Sequence, residues 1–167
     1  WEQDYGVVGS KGRLLAFVFH NATLMPWARV RKNIRLPLDL EHQSGAETER
    51  KIDDALEMVG LKGFDNAFPR ELSGGQQRMV EISRTLMAEP KMLLVDEPTA
   101  GLSKMLSEEV YEMLTVLTEQ DDLTILLVDQ EIRYALQIAD YVYVLELGRN
   151  KFEGISSDFD DLEKAFW

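Results

Sequence analysis

Between Met92 and Glu146 short apolar runs alternate with stretches whose apolar residues recur at helical spacing, and few architectures accommodate that pattern. Met92 to Val95 and Leu123 to Val128 read as buried strands, as does Tyr141 to Glu146. Between them, a segment from about Lys104 carries Leu106, Val110, Met113, Leu114 and Leu117 on one helical face. Another from Glu131 carries Ile132, Ala135, Leu136 and Ala139. Strands alternating with amphipathic helices predict an α/β fold with a parallel sheet covered on both faces and a working edge at the strand C-termini. Gly148-Arg149-Asn150 predicts a hairpin turn into a short strand near Lys151 to Glu153, and Asp158 to Phe166 a terminal helix.

The first half adds one strand and more helix. Leu14 to Phe19 is a nearly continuous apolar run. After it, Val30, Ile34 and Leu38 fall at helical spacing among Pro26 and Pro37, which predicts a short helix bounded by prolines. Ile52, Ala55, Leu56 and Val59 predict a helix from about Ala46, stopped by Gly60. A further helix opens at Leu72-Ser73-Gly74-Gly75-Gln76, presents Met79, Ile82, Ser83 and Leu86, and ends before Pro90.

Composition narrows the function classes. The 167 residues include 30 acidic against 18 basic, a formal net charge of −12, which makes nucleic acid or anionic lipid a poor partner for the surface as a whole. Without cysteine there is no disulfide or thiolate chemistry. No apolar run approaches the roughly 18 residues a membrane-spanning helix needs, so no direct membrane insertion is expected. The polar, acidic start at Trp1-Glu2-Gln3-Asp4-Tyr5 is not that of a secretory segment. It also lacks an initiator methionine, which suggests that sequence upstream is missing.

Two motifs carry chemistry. In Leu72-Ser73-Gly74-Gly75-Gln76, two glycines behind a serine at a helix start let backbone N–H groups approach an anion, with the helix dipole adding partial positive charge. By itself the same stretch also reads as an ordinary serine N-cap. About twenty residues on, Met92-Leu93-Leu94-Val95-Asp96-Glu97-Pro98 sets an acid pair at a strand end. There Asp96 suits a Mg²⁺ contact and Glu97 can polarise a water as general base.

Together these motifs resemble those of the ATP-binding cassette (ABC) ATPases, and the resemblance spans nearly the whole chain. It implies a P-loop NTPase-like fold with a helical subdomain at about 21–88, and a core made of about 12–20 and 89–167. It implies that Ser73, Gly74, Gly75 and Gln76 contact the γ-phosphate of ATP held by an opposing subunit, that Asp96 serves Mg²⁺ and that Glu97 serves the hydrolytic water. Ala100-Gly101-Leu102-Ser103 sits where the family's D-loop lies, with Ser103 in place of the usual aspartate. Gln130 stands at the switch-histidine position, where it can donate a neutral hydrogen bond to phosphate. That substitution and Asp96 to Leu102 are similar to branched-chain amino acid transporter ATPases. Phe17-Val18-Phe19-His20-Asn21 with Leu24, Pro26 and Trp27 looks like the Q-loop of nitrate, sulfonate and taurine importers, with His20 replacing glutamine.

One element is missing. A P-loop requires G-x-x-x-x-G-K-[ST] between a strand and a helix, and the 167 residues contain none. Gly6 to Arg13 is superficially similar, but Lys11 precedes the last glycine and no Ser or Thr follows. No adenine-stacking aromatic is identified, with Tyr5 the one residue left open. The chain therefore reads as the C-terminal two-thirds or so of such an ATPase, short of its P-loop strand and helix. Loss of that strand is expected to leave apolar edges beside Met92 to Val95 and Leu123 to Val128, favouring self-association.

The resemblance implies an ATP-binding and ATP-hydrolysing subunit of an importer on the cytoplasmic face of the inner membrane. Its partners would be a second ABC subunit head to tail and membrane permeases, which Met25 and Trp27 are placed to touch, without nucleic acid. The rival reading is a truncated module that folds and self-associates without ATPase activity.

Overall fold

The computed structural model describes residues 15–20, 23–119 and 123–159. The stretch around Lys11, Tyr5 and most of the expected terminal helix lie outside the described residues; Ser156–Phe159 forms a 3₁₀ turn. The chain divides into two compact units, residues 1–128 and 129–167.

In the first unit, β1 (Leu15–Val18), β2 (Met92–Asp96) and β3 (Thr124–Val128) form a parallel sheet in the order β1-β2-β3. Leu15 lies beside Met92 and Met92 beside Thr124, so the register places Leu15, Phe17, Met92, Leu94, Leu126 and Val128 on one face. The other face carries Val18, Leu93 and Val95, all buried. The expectation of a sheet covered on both faces is met on this second face; on the first, among the described residues, Phe17 and Val128 are about half exposed. The expectation of an open edge at β2 is also corrected. Among the described residues β2 is the central strand with a neighbour on each side, and the sheet's edges are β1 and, as expected, β3.

Helices α1 (Val30–Leu40), α2 (Ala46–Met58) and α3 (Gly74–Leu86) pack together, and α3 also packs on β1 and on α4 (Lys104–Thr118). Ile34, Leu38, Ile52, Leu56, Val80 and Ile82 are buried among them. Pro37 does not bound α1, which runs through it to Leu40. A proline so close to a helix end forfeits one backbone hydrogen bond and leaves the burial of Leu38 intact. Gly60 follows α2 with φ +68, the left-handed stop its sequence position predicts.

The second unit contains α5 (Ile132–Ile138), β4 (Tyr141–Glu146) and β5 (Arg149–Ile155). The expected βαβαβ succession of elements runs from β2 to β4. β4 pairs antiparallel with β5. The hairpin expected at Gly148 is there: Leu147 and Gly148 take φ values of +49 and +75, a tight turn that folds β5 directly back. β5 is longer than the expected strand and shares a bulge with β4 at Val144/Leu145.

Candidate functional site

Ser73 is the N-cap of α3. Its hydroxyl oxygen accepts from the Gln76 N–H at 3.2 Å, and the Gln76 side chain accepts from the Ser73 N–H at 2.9 Å, a reciprocal capping box. The ordinary N-cap role is therefore filled. It leaves the hydroxyl proton available to a ligand, because only the oxygen's acceptor capacity is used. Gly74 and Gly75 occupy the first turn, where helix N–H groups lack intrahelical partners.

Neither glycine has a positive φ; what each allows is close approach of a leucine side chain. A Cβ on Gly75 would lie 2.9 Å from Leu106 Cδ2, and one on Gly74 would lie 3.0 Å from Leu102 Cδ2. The start of α3 thus rests on the turn after β2 and the first turn of α4, whose N-cap is Ser103. The sequence signal was legible as glycine, but its partners come from residues almost thirty positions on.

Asp96 ends β2 and is exposed, on the sheet face that carries Phe17 and Leu126. Glu97 turns out of the strand with φ +42, a conformation that costs a non-glycine residue about 1 kcal/mol, and its N–H donates to the Val128 carbonyl at 2.8 Å. That bond at the carboxyl end of β3 keeps the strained residue in place. His20 Nδ1 lies 3.3 Å from Glu97 Oε2, both side chains partly exposed. Two of the residues singled out in sequence, far apart along the chain, are thus in contact. Gln130 lies in the second unit as an exposed residue, with its carbonyl accepting from Ile132 N–H at 3.0 Å.

Among the described residues, no three or more His, Cys, Asp or Glu side chains are grouped to hold a metal ion. A single exposed carboxylate such as Asp96 fits Mg²⁺ as it binds with nucleotides, where phosphate oxygens and waters supply the other positions. The capped serine and first-turn glycines likewise fit a phosphate oxygen.

Sequence reasoning missed Arg78 and Glu81, one helical turn apart on α3 and buried to 5% and 0% exposure. Arg78 Nη1 donates to Glu81 Oε2 at 2.7 Å. The signal lies in the helix itself: residues 78, 81 and 85 form a polar stripe beside the apolar Met79 and Ile82, yet every one of them is buried. Arg84, next to them, is drawn below the ordinary arginine value by burial, against the pull of Glu81.

Trp27 is 77% exposed and Met25 half-buried, on a loop that the buried Asn33 pins by accepting from Met25 N–H at 2.8 Å and donating to the Ala28 carbonyl at 3.1 Å.

Comparison with known proteins decides the family. The sequence pattern of the ABC transporter family matches residues 6–100, more than half of the chain. The chain belongs to the ABC transporter family. Among its relatives, the methionine import ATP-binding protein MetN of Staphylococcus saprophyticus is 37% identical over 162 residues, covering 93% of this chain and 47% of the relative. The MetN protein of Haemophilus influenzae (strain 86-028NP) is 36% identical over 137 residues, covering 82% and 40%. This ABC chain therefore spans about half the length of the curated relatives it matches.

Solved ABC structures agree on the fold. A dimeric ATP-binding cassette in a post-hydrolysis state, bound to ADP and phosphate, matches with a TM-score of 0.73 at 30% identity, over 85% of this chain and 62% of that one. CbiO1 of Clostridium perfringens, part of the CbiONQ transporter complex, matches with a TM-score of 0.82 at 26% identity, over 91% and 61%. Both support the P-loop NTPase-type α/β fold with a parallel sheet and flanking helices.

Proposed function

We propose that this chain is the part of an ABC importer ATPase that carries the signature motif and the catalytic acid, working in a composite ATP site with a second subunit. Ser73, Gly74, Gly75 and Gln76 bind the γ-phosphate of a nucleotide held by that partner. The carrying observation is the serine cap: Ser73 Oγ is used as an acceptor, which leaves its O–H to donate to a phosphate at the positive end of α3. Asp96 would serve Mg²⁺, which when bound would neutralise phosphate charge. Glu97 accepts a proton from the hydrolytic water, with His20 beside it, and Gln130 donates a neutral hydrogen bond to the γ-phosphate. Catalysis of this kind is positioning and electrostatics.

Residues 21–88 form the helical subdomain of the cassette, and residues 12–20 with 89–167 belong to its core. The pinned loop with Met25 and Trp27 meets a membrane permease. The subunit sits on the cytoplasmic face of the inner membrane through that permease; among the described residues no helix is long and apolar enough to cross a membrane. Methionine, which the names of its relatives print as their cargo, is the first solute to test.

Mixing this chain with a cassette that has an intact P-loop but a disabled signature tests the reading. Mg²⁺-dependent ATP turnover by the mixture, lost in Ser73→Ala, is expected. No turnover, with no nucleotide-dependent association, contradicts it. The second reading, a non-catalytic module that self-associates, is favoured by the exposed apolar sheet face and the open edges of β1 and β3. Sedimentation as a dimer together with silence in the mixing experiment selects it.

A further inference from the structure

We propose that Arg78 and Glu81 are positioning residues that hold His20 against Glu97, which makes α3 a stiff link between the Ser73 end of the helix and the acid at the end of β2. The inference rests on the functional reading above for the roles of Ser73 and Glu97, but its geometry stands apart from it.

β1 ends at Val18, so the next two carbonyls leave the sheet ladder and need other donors. Both find the same guanidinium: Arg78 Nη1 donates to the Phe19 carbonyl, and Nη2 to the His20 carbonyl at 2.6 Å. Glu81 holds Thr23, three residues on from His20. Its Oε1 accepts from Thr23 N–H at 3.1 Å and from the Thr23 hydroxyl at 3.0 Å, while Oε2 accepts from Arg78. Arg84 adds a bond to the Thr23 carbonyl at 3.0 Å. One buried ion pair on one helical turn therefore fixes the backbone before and after His20, and the imidazole so placed lies 3.3 Å from Glu97.

A planar fork of donors suits two adjacent carbonyls and a carboxylate at once, which a lysine, as a single point charge, does not. Desolvation offsets most of what a buried ion pair gains, and apolar residues of similar volume can replace such a pair without loss of stability. What the pair supplies here is geometry. Signature contact at the start of α3 and acid geometry at the end of β2 then change together, because the same helix also rests on Leu102 and Leu106 after β2.

The chain has only two histidines, His20 and His42, so ring NMR signals read the contact directly in the absence of nucleotide. His42→Gln assigns them, and Glu97→Gln gives the signal of His20 without its carboxylate neighbour. Two variants test the hold. Arg78→Lys keeps the charge and loses the fork, and the paired change R78M/E81L replaces the buried charges with apolar bulk.

In each folded variant, recognised by an unmoved His42 signal and a cooperative melt, the His20 signal is expected to move by more than a line width toward its E97Q position. A His20 signal coincident with wild type in a folded variant overturns the proposal. Should Arg78→Lys fail to fold, the apolar pair decides. Because no ATP is present, this result is independent of the mixing experiment: turnover can fail while the His20 shift holds, and the reverse.

Discussion

On one face of the β1-β2-β3 sheet Val18, Leu93 and Val95 are at most 1% exposed, while on the other Leu15, Phe17, Leu126 and Val128 keep 39, 48, 43 and 54% of their surface. The two faces are written in the same apolar residue types, yet one is a core and the other is not. The strand sequences specify two covered faces, as parallel strands generally do, and the described residues cover one. The open face is also where Asp96 stands. What the difference teaches is that apolar content in a strand reports what the fold needs, and not what the present neighbours supply.

Substitution breaks or sharpens this contrast. Leu93→Ala, which opens a cavity in the covered face, is expected to cost about 2–5 kcal/mol in urea unfolding. Leu126→Ala removes the same atoms from the open face and is expected to cost less than about 1 kcal/mol. Equal costs would mean that the open face is packed in solution, either by a second copy or by residues outside those described.

A smaller effect is expected at the junction of the two motifs. Gly75→Ala forces a Cβ onto Leu106, an overpacking worth about 1–3 kcal/mol, offset by up to about 1 kcal/mol of helix propensity. Leu106→Ala in the same chain makes room. The double variant should therefore be more stable than the two single costs added together, and strict additivity would remove the contact from the account.

Phe17→Ser should lower binding of a hydrophobic dye to the chain while shifting the melting temperature by no more than about 2–4 °C, the equivalent of roughly 1 kcal/mol at this size. A collapse of the melt would show Phe17, stacked on Phe19 at 5.7 Å, to be structural.

The smallest effect lies in the helical layer, away from the sheet. Lys32 and Arg35 hold the Asp39 carboxyl below its usual range, and Arg31 with Arg35 does the same for Glu49. A depressed folded-state pKa contributes stability above the unfolded carboxylate range near pH 4 and loses it as pH falls through the lower folded value. Both carboxylates are partly exposed, so the contribution is small. Asp39→Asn should lower stability slightly at neutral pH and leave it unchanged at pH values below the folded carboxyl's range, so that the acid limb of the stability curve flattens.

Several of these elements were legible in sequence because their signals are local. Gly60 ends α2, Ser73 caps α3, and the Met92 to Asp96 run becomes the central strand. The hairpin after β4 was legible too, from Gly148-Arg149-Asn150, whereas the bulge at Val144/Leu145 was not, because it depends on how the two strands align. Pro37 was misjudged because a proline near the end of a helix costs little once Leu38 is buried. In the candidate site, the residue types at 73, 96 and 97 announced themselves. Arg78 and Glu81 did not, since their meaning depends on carbonyls of Phe19 and His20 brought together by the fold.

The central claim is that these residues recognise nucleotide phosphate when a P-loop-bearing partner holds it, and poorly alone. Titration of the isolated chain with a labelled ATP analogue and Mg²⁺ tests this most directly. The account predicts no saturation below about 1 mM, which corresponds to binding weaker than about −4 kcal/mol. Saturable, Mg²⁺-dependent binding well below that concentration would contradict it.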